Sequence, residues 1–193
     1  MEKQGETRDK TISILGIAGS LRKGSFNKAL LRAAAEFVPE GARLELFDLD
    51  GIPPFNQDLE SKPPDRVKEF KEKIKAADAI LIVTPEYNYS IPGVLKNAID
   101  FASRPYVENA WNGKPVAVMG ASIGMLGTAR AQYHLRQSFV FLNMVPVNQP
   151  EVMVPFVDQK IDRNGRLTDD KTREKIKELL VALIAWTKRL RSV

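Results

Sequence analysis

The regular alternation of two hydrophobic patterns constrains the fold of this chain more than any other feature. Short apolar runs, which predict strands, alternate with longer segments in which apolar residues recur every three or four positions, which predict helices. The predicted strands are Thr11–Ala18, Arg43–Phe47, Ala79–Thr84, Pro115–Ala121 and Val147–Val154. The predicted helices are Asn27–Val38, Pro64–Ala76, Ile91–Ala102, Gly127–Leu142 and Asp169–Leu190. The third strand is apolar on both faces, which indicates the centre of a parallel sheet covered by helices on either side.

Five parallel strands joined through helices predict an α/β three-layer sandwich. Right-handed crossovers and the common strand order 2-1-3-4-5 place a topological switch point between the first and third strands. Ligands bind such sheets at the carboxyl ends of the strands around that point. The chain of 193 residues is predicted to form one domain over residues 11–193. A polar, charged extension over residues 1–10 precedes it, and we expect this extension to be disordered.

The segment between the first strand and the first helix has the composition of an anion-binding loop. It reads Gly-Ile-Ala-Gly-Ser-Leu-Arg-Lys-Gly-Ser-Phe-Asn over residues 16–27. Ser20, Ser25 and Asn27 can donate hydrogen bonds, Arg22 carries a fixed charge, and a helix start offers unpaired N–H groups. The glycine spacing matches neither the nucleoside-triphosphate P-loop nor the dinucleotide fingerprint, so we expect a single phosphate. The alternative is an ordinary turn in which Ser25 or Asn27 only caps the helix.

Two further loops follow the third and fourth strands and are predicted to reach the same edge of the sheet. Residues Pro85–Asn88 occupy the predicted switch point, where backbone groups could hydrogen-bond the edge of a planar ring. The alternative is a plain turn in which Ser90 caps the next helix and Tyr87 and Tyr89 pack at the surface. The loop over residues 120–130 is rich in small residues and also opens a helix. Together the three loops predict a nucleotide-like ligand with one phosphate and a flat heterocycle.

Composition excludes several classes of function. The chain has no cysteine, which excludes disulfides and thiolate chemistry, and its single histidine, His134, excludes a multi-histidine centre, so no metal is predicted. His134 is interpreted as a packed or surface residue rather than a catalyst. No apolar run approaches the roughly 20 residues of a membrane span, and the N-terminus lacks the apolar core of a signal peptide, so we expect a cytoplasmic protein. The net charge of +5 is spread among acidic residues, as in residues 68–73, which favours anionic small substrates over nucleic acid.

Three motifs in this order resemble the NAD(P)H-dependent FMN reductases, and within them the bacterial chromate and quinone reductase branch. They are Gly19–Asn27, Thr84–Ser90 and Leu95–Asp100, and the resemblance spans residues 11 to 190. It implies a flavodoxin-like fold with non-covalent FMN and with NAD(P)H as the electron donor. It further implies ping-pong reduction of small-molecule acceptors, namely quinones, flavins, azo compounds or metal oxyanions such as chromate. The flavin carries the chemistry, so no catalytic residue is assigned beyond it.

The resemblance also implies cofactor-binding residues by position. Those of the first loop, which would hold the FMN phosphate and its surroundings, are Ser20, Arg22, Ser25, Phe26 and Asn27. Those of the second loop, which would line the isoalloxazine largely through main-chain groups, are Pro85, Glu86, Tyr87, Asn88 and Ser90. Those at the far edge of the ring or its ribityl side are Ser122, Ile123 and Gly124. The family often has two glycines where this chain has Gly127-Thr128, which puts the local geometry of the third loop in question.

Residues outside the three loops receive two further assignments. Arg104 is assigned to an anion contact near the flavin, and the alternative is a cap on the C-terminal end of the third helix. By position in the family, Arg130, Tyr133 and Glu151 correspond to subunit-interface residues. The resemblance therefore implies a homodimer or homotetramer.

Two other functions stay open at this point. The chain could be a flavodoxin-type FMN electron carrier without its own pyridine-nucleotide oxidation, although such carriers are usually strongly acidic and this chain is basic. It could also be a flavin-free regulatory or nucleic-acid-binding protein that uses the basic surface. Rapid bleaching of yellow protein by NADPH favours the enzyme, whereas colourless protein that retains no FMN favours the flavin-free protein.

Overall fold

A computed structural model describes residues 11–192, and within them six strands and five α-helices follow one another along the chain. The strands are β1 (Ile12–Ala18), β2 (Ala42–Phe47), β3 (Ala79–Val83), β4 (Pro115–Ala121), β5 (Val145–Pro146) and β6 (Val152–Val154). The helices are α1 (Phe26–Glu36), α2 (Asp65–Ala76), α3 (Gly93–Ala102), α4 (Ala129–Leu142) and α5 (Asp170–Arg191). The extension predicted over residues 1–10 lies outside the described residues.

All strand pairings in the sheet are parallel, and the order is β2-β1-β3-β4-β5, with β6 also paired to β4. This confirms the predicted flavodoxin-like sandwich and its switch point between β1 and β3. Ala18 at the carboxyl end of β1 lies opposite Val83 at the end of β3, and Ala121 ends β4 next to them in the sheet. The three connections that leave these strands therefore start from one edge.

The predicted fifth strand, Val147–Val154, is wrong in its extent. Two short strands replace it: Val145–Pro146 pairs with the start of β4, and Val152–Val154 pairs with its end. The connection between them contains Pro150, whose nitrogen carries no hydrogen and cannot continue a ladder. The strand is interrupted for this reason, while β4 keeps a partner near both of its ends.

Two hydrophobic layers hold the helices on the sheet. One layer joins the sheet to α1 and α5 and contains Leu30 and Leu183, while the other joins it to α2, α3 and α4 and contains Phe70 and Trp111. At Gly16 in β1, an added Cβ would lie 2.7 Å from a methyl carbon of Leu31, so α1 packs closely over the sheet there. This packing fixes the start of α1 at the carboxyl edge.

A polar contact fastens the opposite edge of the sheet to the end of α5. Asp78 accepts hydrogen bonds from the backbone N–H of Ser13 at 2.9 Å and from its hydroxyl at 3.2 Å, and it pairs with Arg191. Burial raises the pKa of the Asp78 carboxyl, but the bonds from Ser13 and Arg191 lower it by more. The net result is a pKa below the usual value for aspartate.

Candidate functional site

Three loops meet at the carboxyl edge of the sheet: the first loop (residues 19–25), the second loop (84–92) and the third loop (122–128). The backbone N–H of Gly19 donates to the Val83 carbonyl at 2.9 Å, so the first two loops begin side by side. A Cβ at Gly19 would lie 3.1 Å from Leu95 and 3.3 Å from Pro85, which is tighter than ordinary packing. A larger residue at this position would push the first and second loops apart.

The first loop has the geometry of an anion site. Ser25 is the N-cap of α1, and its hydroxyl accepts the backbone N–H of Lys28 at 3.3 Å, so the cap named in the alternative interpretation is Ser25 rather than Asn27. Within residues 11–192, the backbone N–H groups of Lys23, Gly24, Phe26 and Asn27 have no hydrogen-bond partner. The first helical turn, residues 26–29, contains no acidic residue. Such a helix start attracts negative charge.

Two other residues of the first loop flank these donors. The guanidinium of Arg22 lies 5.2 Å from the centre of the Phe26 ring, at the mouth of the loop. Ser20 is buried, and its hydroxyl accepts the backbone N–H of Arg22 at 3.3 Å. Ser20 thereby shapes the backbone that carries Arg22, while its hydroxyl hydrogen is left to donate to a ligand.

Asn27 is buried, and its side-chain amide is hydrogen-bonded to the sheet. Its amide nitrogen donates to the carbonyl of Ala121 at 3.0 Å, and its amide oxygen accepts the N–H of Ala121 at 2.9 Å. The side chain thus ties the start of α1 to the end of β4 and links the first loop to the base of the third. Its direct contact with a phosphate stays a prediction.

The second loop contains a tight two-residue turn. Tyr87 and Ser90 exchange backbone hydrogen bonds of 3.1 and 2.9 Å, and the residues between them, Asn88 and Tyr89, have φ of 50° and 69°. Positive φ at both central residues is the geometry of a type I′ turn, which a tyrosine adopts at a cost. The prediction that Ser90 caps α3 is wrong, because the N-cap is Pro92.

The carboxylate of Glu86 joins the second loop to the start of α4. Its Oε2 accepts the backbone N–H groups of Arg130 and Ala131 at 3.0 and 3.1 Å. Its Oε1 lies 2.6 Å from both Nε and Nη2 of Arg130, whose guanidinium also lies 3.5 Å from the centre of the Tyr89 ring. A further contact to α4 joins the Ser90 hydroxyl and Nδ1 of His134 at 3.1 Å. His134 is therefore a surface residue held by the second loop.

The third loop is shaped by close backbone packing that the sequence analysis did not predict. At Gly120, just before the loop, an added Cβ would overlap the Thr84 carbonyl oxygen and the Thr128 hydroxyl. Gly127 has φ of 58°, and Thr128, at the position where the family often has glycine, is buried and accepts a hydrogen bond of 2.9 Å from Gln132. A glycine inside an apolar strand is the sequence signal that could have indicated this close approach.

A cavity of about 400 Å³ lies between the second and third loops. Its lining residues are Glu86, Asn88, Tyr89, Ser122, Gly124, Met125, Leu126, Gly127 and Arg130. The Ser122 hydroxyl accepts the N–H of Gly124 at 3.1 Å, while Ile123 and Met125 are exposed beside it. The structure therefore brings together Glu86, Asn88, Ser122 and Gly124 of the residues predicted for the second and third loops, around a space with polar and apolar walls.

Arg104 does not join the three loops within one chain. It follows the C-terminal end of α3, about 15 Å along the helix axis from the helix start at the carboxyl edge. Its guanidinium lies 3.7 Å from the centre of the Tyr106 ring and 3.9 Å from a carboxylate oxygen of Glu60. Its carbonyl accepts a bond from Lys71, and burial lowers the pKa of that ammonium, with Glu108 partly opposing the shift. An anion contact by Arg104 stays a prediction.

The residues assigned to a subunit interface have partners inside the chain. Arg130 is bonded to Glu86, and the hydroxyl of Tyr133 donates to Glu151 at 3.4 Å. This hydrogen bond raises the pKa of the Tyr133 phenol, because Glu151 stabilises its protonated form. Tyr133 is exposed, and its position at a subunit contact stays a prediction.

Two further features are absent from residues 11–192. Over this part of the chain, no group of three or more histidine or acidic side chains could hold a metal ion. The helices described over the same residues include none with the length and apolar character needed to cross a membrane.

Comparison with known proteins gives one consistent result. The family model described as NADPH-dependent FMN reductase matches residues 12–159, a range that contains all three loops. An NAD(P)H-dependent FMN reductase of Pseudomonas aeruginosa is 55% identical over 93% of this chain and 97% of its own length. A 2-hydroxy-1,4-benzoquinone reductase of a Burkholderia species is 43% identical over 92% of this chain and 97% of its own. Among solved structures, the flavoenzyme NAD(P)H:acceptor oxidoreductase FerB of Paracoccus denitrificans matches with a TM-score of 0.85 and 35% identity, covering 92% of this chain and 98% of that one.

Proposed function

This chain belongs to the NADPH-dependent FMN reductase family, and on that premise we propose that it binds FMN at the three loops and transfers electrons from NAD(P)H to quinones. One observation carries the proposal: an open helix start with a nearby arginine and a cavity lined by the second and third loops, with Tyr89 in its wall, both lie at the carboxyl edge of the sheet around its switch point. The two ends of FMN, a phosphate and a flat heterocycle, need these two surroundings.

The first loop suits the phosphate end of FMN. Unpaired N–H groups at the start of α1 would donate to the phosphate oxygens, and the hydroxyl of Ser25 would donate its hydrogen while still accepting from Lys28. Arg22 would neutralise part of the charge through a charge-assisted hydrogen bond. In this proposal Asn27 holds the loop in place through Ala121, and Ser20 supports the backbone at Arg22.

The second and third loops suit the ring. The backbone of Pro85–Asn88 would hydrogen-bond the polar edge of the isoalloxazine, and residues Ser122–Gly124 would border its far side. When bound, FMN would supply the hydride and electron-transfer chemistry, and the protein would supply position and electric field. The exposed side chains of Tyr87, Tyr89, Ile123 and Met125 would surround the open face that donor and acceptor share.

Quinones are the acceptors that the comparisons support. One relative is named 2-hydroxy-1,4-benzoquinone reductase, and two further relatives that are 41% identical are named quinone reductase. These names also favour an enzyme over a flavodoxin-type electron carrier. Flavins, azo compounds and chromate are additional acceptors in this proposal, since an open flavin face admits small or planar oxidants.

We also propose a homodimer or homotetramer in the cytoplasm. The exposed Tyr133 and the neighbouring Arg130 and Glu151 would contribute to the contact between subunits. The cytoplasm is proposed because it contains the pyridine nucleotides that serve as donor. Sedimentation of the purified protein tests the oligomeric state.

The experiment that tests the proposed function uses flavin absorbance under nitrogen. Purified protein is reconstituted with FMN, and NADPH or NADH is added in a stopped-flow instrument. We expect bleaching within seconds, recovery on addition of benzoquinone, and parallel double-reciprocal plots in the steady state. Protein that retains no FMN, or whose flavin is bleached only over hours by both nucleotides, would contradict the proposal.

A further inference from the structure

We propose that the Glu86 side chain is a positioning residue that clamps the second loop to the start of α4 and so fixes the backbone of Pro85–Asn88 for the flavin ring. The part that concerns the ring rests on the proposed function, whereas the clamp itself is a property of the protein without cofactor. In the family resemblance Glu86 is assigned to the lining of the ring; the geometry points to a further action, through Arg130.

The carboxylate of Glu86 is already hydrogen-bonded within the protein, as expected of a residue with a structural role. Four N–H groups surround its two oxygens, two from the backbone of α4 and two from the guanidinium of Arg130, at 2.6 to 3.1 Å. The side chain is only 6% exposed. A carboxylate is buried at tolerable cost only when it is paired and hydrogen-bonded in this way, so all its bonding capacity is directed at α4.

The clamp holds a loop whose local conformation is costly. Asn88 and Tyr89 both have positive φ, and a tyrosine in this region persists only where its surroundings enforce it. Arg130 supplies that enforcement from the other side, because its guanidinium is bonded to Glu86 and stacks on the Tyr89 ring. Loss of either charged group removes the support of the turn and, through it, of the backbone beside the cavity.

The clamp also substitutes for a missing helix cap. The N-cap residue of α4, Thr128, makes no side-chain cap bond within the described residues, and its hydroxyl accepts from Gln132 instead. Glu86, 44 residues earlier in the sequence, bonds the N–H groups that a cap would satisfy. One carboxylate therefore orders the second loop and the base of the third at the same time.

The first test compares FMN with riboflavin, which lacks the phosphate. Dissociation constants are measured by flavin fluorescence for the parent, Glu86→Gln, Arg130→Gln and the double variant, with thermal melts to verify folding. We expect each single variant to raise the dissociation constants of FMN and riboflavin equally, by about tenfold. The double variant should bind both ligands as tightly as the single variant with the lower affinity, because the two side chains act as one unit. Arg136→Gln is the matched control, since Arg136 is also on α4 and also bonds a loop, through the Val147 carbonyl, but away from the site.

The outcomes of this comparison are distinct. Equal losses for both ligands with non-additive coupling support the clamp. Parent-like affinity in folded Glu86→Gln, independent additive losses, or a loss for FMN alone would overturn it.

The second test needs no cofactor, so it separates the clamp from the proposed function. Hydrogen exchange of the flavin-free protein is followed for backbone amides at residues 87–90 and 122–131. We expect Glu86→Gln and Arg130→Gln to speed exchange at least tenfold in both segments, while Arg136→Gln leaves them at the parent rate. Unchanged exchange in both variants would overturn the clamp, whether or not the parent binds FMN. Failure of the parent to bind FMN would instead overturn the proposed function and leave the exchange result standing.

Discussion

Replacement of Asn27 by alanine should destabilise the protein by about 2–4 kcal/mol, because it leaves two buried backbone groups without partners. The amide of Asn27 satisfies both the carbonyl and the N–H of Ala121, at 3.0 and 2.9 Å, and its side chain is buried. Each buried group left unsatisfied costs about 1–3 kcal/mol, so the two together set an upper limit of about 6 kcal/mol. A water that enters the vacated space would hydrogen-bond to the freed groups and recover part of the lost stability. The expected loss of about 2–4 kcal/mol is therefore smaller than the upper limit.

The assay for Asn27→Ala is urea unfolding of the flavin-free protein, followed by circular dichroism. A loss of this size lowers the midpoint of the transition without changing its slope, and in a thermal melt it corresponds to a drop of roughly 5–15 °C. A natural domain with about 5–15 kcal/mol of stability remains folded after such a loss, so the measurement is feasible.

Asn109→Ala is the matched control for this prediction. Asn109 also uses both ends of its amide, donating to the Leu142 carbonyl and accepting the N–H of Trp111, each at 3.0 Å. It lies between α3 and β4, away from the three loops, so its loss should reduce stability while FMN affinity stays unchanged. For Asn27→Ala, a free-energy change below 1 kcal/mol would refute the reasoning, since it would mean that the two bonds to Ala121 are not needed.

Three further predictions concern single residues. Arg22→Ala should weaken FMN binding by about 1.5–3 kcal/mol, the value of a hydrogen bond to a charged group, and leave riboflavin affinity unchanged. Calorimetry with both ligands measures this, and equal losses of affinity would show that Arg22 does not contact the phosphate. Gly120→Ala should lower stability by more than the usual overpacking cost of about 1–3 kcal/mol, because the added Cβ overlaps a backbone carbonyl, and a parent-like melting temperature would contradict it. Asp78→Asn should lower the free energy of unfolding in a pH-dependent way, because the pKa of Asp78 is lower in the folded than in the unfolded protein. The parent's extra stability is fully present above the pKa of unfolded aspartate and is lost as the pH falls through the folded-state pKa. Urea unfolding at pH 7, 5 and 3 measures this advantage, and a constant difference at all three values would refute the assignment.

Much of the fold could be predicted from sequence because it depends on patterns that are local along the chain. Ala79–Val83 is buried at every position, as its apolar run predicted. The alternation of strands with helices, together with the common order of doubly wound sheets, predicted the sheet order. The interruption of the last strand was missed, although Val147–Val154 carries two signals of it. Pro150 and the polar residues beside it, Asn148, Gln149 and Glu151, separate Val147 from the apolar run Val152–Val154.

In the site, too, the features that depend on neighbouring residues were predictable and those that depend on distant residues were not. The three loops were placed correctly because each follows a strand directly, and Ser25 was a correct cap because capping involves neighbours only a few residues apart. The partners of Asn27 and Glu86 were not predictable, because they lie 94 and 44 residues away and include backbone groups, which any residue type could supply. Ser90 failed as a cap because α3 begins only at Gly93, with Pro92 at the N-cap position.

One acidic side chain distinguishes the starts of α1 and α4 at this edge as sites for an anion. α1 and α4 both begin there, and each presents partial positive charge on the N–H groups of its first turn. At α4 those of Arg130 and Ala131 are bonded to Glu86, so a phosphate would have to displace a buried, fully bonded carboxylate. At α1 the N–H groups of Phe26 and Asn27 have no partner within residues 11–192, and Arg22 stands beside them. Under the proposed function, this charge pattern favours the first loop over the start of α4 for the phosphate end of FMN. The cavity between the second and third loops is then the space proposed for the ring, and the charges at the two helix starts support this orientation of the cofactor.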